Sequence, residues 1–144
     1  MKRIMFVCTG NTCRSPMAEA IFNKTLPDKL RRLYRAESAG IFAQSGIGAS
    51  GNSIAALLSF GIDISSHRAK RLDLDLCDDV TLFVCMTDAH AEHLLSLGVC
   101  RERLTVLEIA DPFGGDLNRY LDCAQEIFNK MPKIFEMIGT QNED

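Results

Sequence analysis

Several protein classes are excluded by what this chain lacks. No apolar run among its 144 residues approaches the length needed to span a bilayer. No basic block stands out either: 16 lysines and arginines against 19 acidic residues leave a formal net charge of −3. Binding to a nucleic-acid backbone needs a concentrated positive surface, so no nucleic-acid partner is expected, although a local anion site is still allowed. The opening "MKRIMFVCTG" is too briefly apolar for a secretory signal and leads directly into a loop. No repeat or low-complexity tract interrupts the chain.

What remains is an ordinary globular composition, 47% apolar and 24% charged, long enough for one domain over residues 1–144 with a real core. Six cysteines, at 8, 13, 77, 85, 100 and 123, are an even number that would suit a disulfide framework. Several sit in apolar segments such as "TLFVCM", and no signal precedes them. A reducing, cytoplasmic compartment is therefore the expectation. No membrane partner is expected.

Strand and helix patterns alternate. "RIMFVC" reads as a buried first strand, and after Arg14 the apolar period becomes helical, with Met17, Ala20 and Ile21 a turn apart. Ser15 is read as the cap of that helix, Pro16 as its first residue and Pro27 as its end. "YRAESAG" is a weaker second strand, and 44–53 is a polar loop. "SIAALLSFG" reads as a helix closed by Gly61. "RLDLDLCDD" fits a strand or a short helix, and "VTLFVCM" is a buried strand. "DAHAEHLLSLG" is a helix in which His90 and His93 look like ordinary members. "RLTVLEI" supplies a fourth strand, and "ADPFGGD" turns. From Leu117 to Phe135 one helical face carries Leu117, Tyr120, Leu121, Ala124, Ile127, Phe128, Met131, Ile134 and Phe135, with Pro132 expected to kink or perturb its end. The economical fold is α/β, a parallel sheet covered by helices.

Ligands collect at the carboxyl ends of such strands, where "CTGNTCR" lies. Its amides can turn around an oxyanion while the next helix adds its positive end. Gly10 allows unusual backbone angles, and Arg14 offers a charged fork for two phosphate oxygens. Under that cradle Cys8 has a reason to ionise, attack phosphorus and form a cysteinyl phosphate, with Ser15 donating to the thiolate. The lysine and glycine spacing of a nucleotide-binding loop is missing, and Cys8 and Cys13 are too far apart in sequence for a zinc-ligand turn, so neither metal nor cofactor is expected. Asp111 follows a strand, so its carboxylate can serve the same rim as a general acid; as an isolated residue it would read as a turn former.

Taken whole, "VCTGNTCRSPMAEAIF", "SAG" at 38–40, His67 and "DPFGG" at 111–115 closely resemble the low-molecular-weight protein-tyrosine phosphatases. The resemblance implies a three-layer α/β sandwich around a four-stranded parallel sheet. It implies Cys8 as nucleophile, Arg14 and the stretch Thr9, Gly10, Asn11, Thr12, Cys13 and Ser15 as phosphate-binding, and Asp111 as acid. Asn11 would hold a strained loop through Ser38 and His67. The substrate would be a phosphorylated protein, and the product inorganic phosphate. Cys13 is a candidate for a reversible disulfide that protects Cys8, with a packing role equally open.

"NTCR", "DPFGG" and "SAGIFA" depart from the tyrosine-directed pattern, which often carries a larger apolar residue where Thr12 stands and tyrosines after the aspartate–proline pair. They resemble the protein-arginine phosphatase branch. Thr12 leaves room and a hydroxyl for a guanidinium, while Phe42 or Phe113 can wall its stem or, equally, flank a phosphotyrosine ring. Phosphoarginine is read ahead of phosphotyrosine. An arsenate reductase would need relay thiols, for which only Cys77 and Cys85 offer themselves. A phosphopeptide-binding module would have little use for both Cys8 and Asp111.

Overall fold

The computed structural model describes residues 1–141. Four strands, β1 (Lys2–Cys8), β2 (Tyr34–Gly40), β3 (Val80–Cys85) and β4 (Leu104–Val106), form one sheet in the order β2-β1-β3-β4. All pairings are parallel. Five α-helices accompany them: α1 (Arg14–Thr25), α2 (Asp28–Arg31), α3 (Gly51–Leu58), α4 (Asp88–Ser96) and α5 (Leu117–Gln141).

Alternation along the central strands separates two cores. Ile4, Phe6 and Cys8 of β1 join Leu82 and Val84 of β3 against Met17, Ile21 and Phe22 of α1 and Tyr120, Ile127 and Ile134 of α5. Met5, Val7, Phe83 and Cys85 face the other way, onto Leu94 of α4 and Val99. Both faces of the sheet are therefore covered, which explains why its central strands read as unbroken apolar runs rather than alternating ones. The three-layer α/β arrangement expected from the sequence is the one observed.

Local differences have physical causes. Helix α1 begins at Arg14, so Ser15 and Pro16 lie inside its first turn and Ser15 does not cap it. Pro16 is tolerated there because first-turn amides have no intrahelical acceptor. The stretch read as strand or short helix forms a 3₁₀ turn over Leu74–Leu76. Helix α3 stops at Leu58, and Gly61, with φ of 77°, belongs to the turn beyond it. Pro132 lies within α5, which continues to Gln141 instead of ending. On the expected face of α5, Tyr120, Ala124, Ile127, Met131 and Ile134 are buried, Leu121, Phe128 and Phe135 are partly buried against them, and Leu117 at its start is exposed.

β4 is shorter than the segment expected, because Glu108 adopts a left-handed conformation with φ of 61°. Lys130 of α5 donates to the carbonyls of Leu107 and Glu108, at 2.9 and 3.0 Å, and so holds this twist. Ladder bonds nevertheless resume, with Leu107 N–H on Cys85 O and Ile109 N–H on Met86 O. The result delivers the carbonyl of Ile109, and then Asp111, to the end of β1.

Candidate active site

Beyond Cys8 the chain bends through residues 9–13 before α1 starts, so strand end, loop and helix N-terminus converge on one point. A cleft of about 260 Å³ opens there, lined by Cys8, Thr9, Gly10, Thr12, Cys13, Arg14, Asp111 and Phe113. Cys8 is 3% exposed. Its sulfur lies 2.8 Å from Ser15 Oγ and accepts the Asn11 N–H at 3.3 Å.

Asn11 organises the loop. Its φ of 58° lies in the left-handed region, which asparagine tolerates better than most residues but which still needs support. The fully buried side chain supplies that support: Nδ2 donates to Ser15 Oγ at 2.8 Å and to Ser38 Oγ at 2.9 Å, while Oδ1 accepts from Lys70 N–H at 2.9 Å. His67 Nε2 meets the Asn11 carbonyl at 2.8 Å. Ser38 donates onward to Glu19 at 2.6 Å, and burial raises the pKa of that carboxyl. Since Ser15 Oγ already accepts from Asn11, its own proton is free to point at the Cys8 sulfur.

Arg14 is nearly buried, with Nη1 donating to the Ile109 carbonyl at 3.0 Å. One side of the fork is thereby fixed. The other, Nη2, stands 3.7 Å from Asp111 Oδ2. Asp111 is half exposed, and its Oδ1 accepts the Phe113 N–H at 3.1 Å, so it performs the turn role and also faces the cleft.

Phe113, 80% exposed, walls the cleft. Phe42 is not among the lining residues; its ring lies 5.8 Å from that of His93, and its N–H donates to Thr9 O. Cys13 Sγ sits 3.5 Å from both Ser50 Oγ and Tyr120 OH, in a packed polar nook, and burial with the Cys13 contact pushes Tyr120 up to about 12. The six cysteines are free thiols. Cys85, within β3, is fully buried, and that burial pushes its thiol up to about 12, which suits no relay. Among the described residues no three His, Cys, Asp or Glu side chains are grouped to hold a metal ion.

Sequence reading missed two contributors. Gly40 ends β2 where a Cβ would come within 2.6 Å of Thr9 O and 2.9 Å of Asn11 N, so only glycine admits the loop; the quoted "SAG" was the available signal. His90, expected to be an ordinary helix residue, is 6% exposed and contacts Thr9 Oγ1 at 2.9 Å. Nothing in its helical spacing marks a residue whose partner lies across the sheet end.

Burial, and then the positive charge of Arg14, push His90 down to about 4. The neutral ring is favoured in the folded state, so this contribution is complete above the unfolded value of 6.5 and is lost as pH falls from there towards 4. Wild type is expected to lose about 1–2 kcal/mol more stability than His90→Gln between pH 7 and 4.5, read by urea midpoints. Equal losses would show that the imidazole is not held neutral.

Fold and cleft together define an α/β protein with a cleft-lining loop built around a cysteine at the end of its first strand. The comparisons agree: residues 3–143 match the family described as low molecular weight phosphotyrosine protein phosphatase, and the chain belongs to it. It is a cysteine-based phosphatase of that family. A protein-arginine-phosphatase of Geobacillus stearothermophilus is 34% identical, with 96% of this chain and 97% of that one aligned. The low molecular weight protein-tyrosine-phosphatase PtpB of Staphylococcus haemolyticus is 33% identical over 92% of this chain and 96% of its own. The solved YwlE arginine phosphatase from Geobacillus stearothermophilus superposes with a TM-score of 0.85 at 34% identity, covering 98% and 95% of the two chains.

Proposed function

We propose that this chain, acting as one domain over residues 1–144, removes phosphate from arginine side chains of proteins. The Cys8 sulfur attacks phosphorus and the phosphorus–nitrogen bond breaks. Asp111 gives its proton to the departing guanidine nitrogen, and Arg14 with the loop amides holds the three equatorial oxygens. Asp111, now a carboxylate, takes a proton from the water that attacks the cysteinyl phosphate. Inorganic phosphate leaves, and Ser15 receives the restored thiolate with its hydroxyl. Supporting these roles, Cys8, Arg14 and Asp111 line one cleft.

Phosphoarginine is favoured by one observation: Thr12, with a small side chain and a hydroxyl, lines the same cleft as Cys8. A branched apolar side chain there would fill the space a guanidinium needs and offer it no acceptor. The arginine phosphatases among the relatives support the same reading. Phosphotyrosine is the second reading, favoured by the exposed Phe113 ring beside the cleft, which can stack on a phenol as well as on a guanidinium. Six free thiols fit a cytoplasmic setting. Cys13, next to the cleft, is the candidate partner for an oxidised Cys8.

The test is kcat/KM on matched phosphoarginine and phosphotyrosine peptides with the reduced enzyme. Wild type is expected to prefer phosphoarginine by about tenfold or more, and Thr12→Ile to narrow or reverse the ratio, because a lost polar contact and lost space together are worth about 1–3 kcal/mol. A wild-type preference for phosphotyrosine would overturn the substrate choice and the role given to Thr12.

A further inference from the structure

The first residue of the loop, Thr9, is held from outside the loop. Its carbonyl accepts the Phe42 N–H at 2.9 Å, and its hydroxyl meets His90 Nε2 at 2.9 Å. The other ring nitrogen of His90, Nδ1, meets Thr87 Oγ1 at 3.0 Å. Thr87 occupies the N-cap position of α4, where a threonine hydroxyl ordinarily accepts from a helix amide. Here it makes no such bond and is committed to the imidazole instead. A capping interaction is thus given up to orient a histidine whose far side reaches the phosphate-binding loop.

We infer that His90 is a positioning residue, which sets the Thr9 end of the phosphate-binding loop through its Nε2 bond while Thr87 fixes the plane of its ring. This inference rests on the reading of residues 8–14 as the phosphate site. The charged and titratable groups facing the imidazole are Arg14, Asp111 and, on its own helix, His93. A neutral ring near Arg14 sets no second positive charge against the guanidinium. It also fits the pair of threonines with a single ring proton: one nitrogen donates to one hydroxyl, and the second hydroxyl donates to the other nitrogen. With its hydroxyl engaged in this way, Thr9 cannot turn it into the cleft, and its peptide group stays where the loop needs it.

Two isosteric substitutions separate the two bonds. Glutamine places an amide where Nε2 lies and can keep the Thr9 contact. Asparagine reaches only to the place of Nδ1 and can keep the Thr87 contact alone. The probes are p-nitrophenyl phosphate for turnover and inorganic phosphate as competitive inhibitor, with melting temperature measured on the same samples. His90→Ala and His90→Asn are expected to lower kcat/KM and raise the phosphate inhibition constant by about tenfold, the worth of one hydrogen bond to a positioned group. His90→Gln is expected to stay within about threefold of wild type on the same scale. Thr9→Val should match His90→Asn, and the double variant should be no worse than either single one.

Asparagine performing as well as glutamine, or additive losses in the double variant, would overturn the inference. So would variants that melt lower while their folded fraction turns over and binds phosphate like wild type, since that marks a purely structural histidine. A wild type without phosphatase activity or phosphate affinity would instead overturn the reading of the loop, and the role of His90 with it.

Discussion

Cys8→Ser is expected to lower kcat by about 10⁵-fold or more, the scale on which enzymes lose an attacking group. The substitution leaves the surroundings nearly unchanged. Serine occupies less volume at a buried strand end, and its hydroxyl can still accept from Asn11 N–H and bond Ser15 Oγ. What is lost is the sulfur as attacking atom, because a serine hydroxyl without a neighbouring base is a weak nucleophile. The variant should therefore still bind inorganic phosphate, and its unfolding midpoint should lie close to wild type. Turnover within tenfold of wild type would remove Cys8 from the chemistry.

Asp111→Asn is expected to act according to the leaving group. With a substrate whose departing nitrogen or oxygen needs a proton, the loss should reach about 10²–10⁴-fold, the usual worth of a positioned general acid. With an activated aryl phosphate, whose phenolate departs unaided, the phosphorylation step should fall much less. Asparagine keeps an oxygen for the Phe113 N–H, so the turn survives. It also leaves a neutral amide in place of the carboxyl group 3.7 Å from Arg14 Nη2. A plot of log kcat/KM against leaving-group pKa is the measurement: the variant's slope should be the steeper. Parallel lines would show that Asp111 does not carry the proton.

Much of this molecule was legible in its sequence because the information is local. Buried on both faces, β1 and β3 appear as apolar runs, and the amphipathic stripe of α5 fixes its own inner face. β2 was legible only from its place between two helices, yet it spans Tyr34–Gly40 as read. The loop that lines the candidate site was legible because loop, strand end and helix start are contiguous from Cys8 to Ser15. What escaped depends on partners distant in the chain. The start of α1 was misplaced because Ser15, a good cap by type, has its hydroxyl on the Cys8 sulfur. β4 ends early through Lys130, which lies more than twenty residues further on. His90 reads as a helix residue until Thr9, 81 positions earlier in the chain, is seen beside it.

A rapid acid quench of a single turnover tests whether phosphate passes through the Cys8 sulfur. Enzyme mixed with a phosphate-labelled substrate should show a burst of leaving group matched by label on the protein. After digestion the label should lie on the peptide holding Cys8, and Cys8→Ser should abolish both burst and label. A burst without protein-bound label, or label on another residue, would remove the Cys8 sulfur from the path of the phosphate.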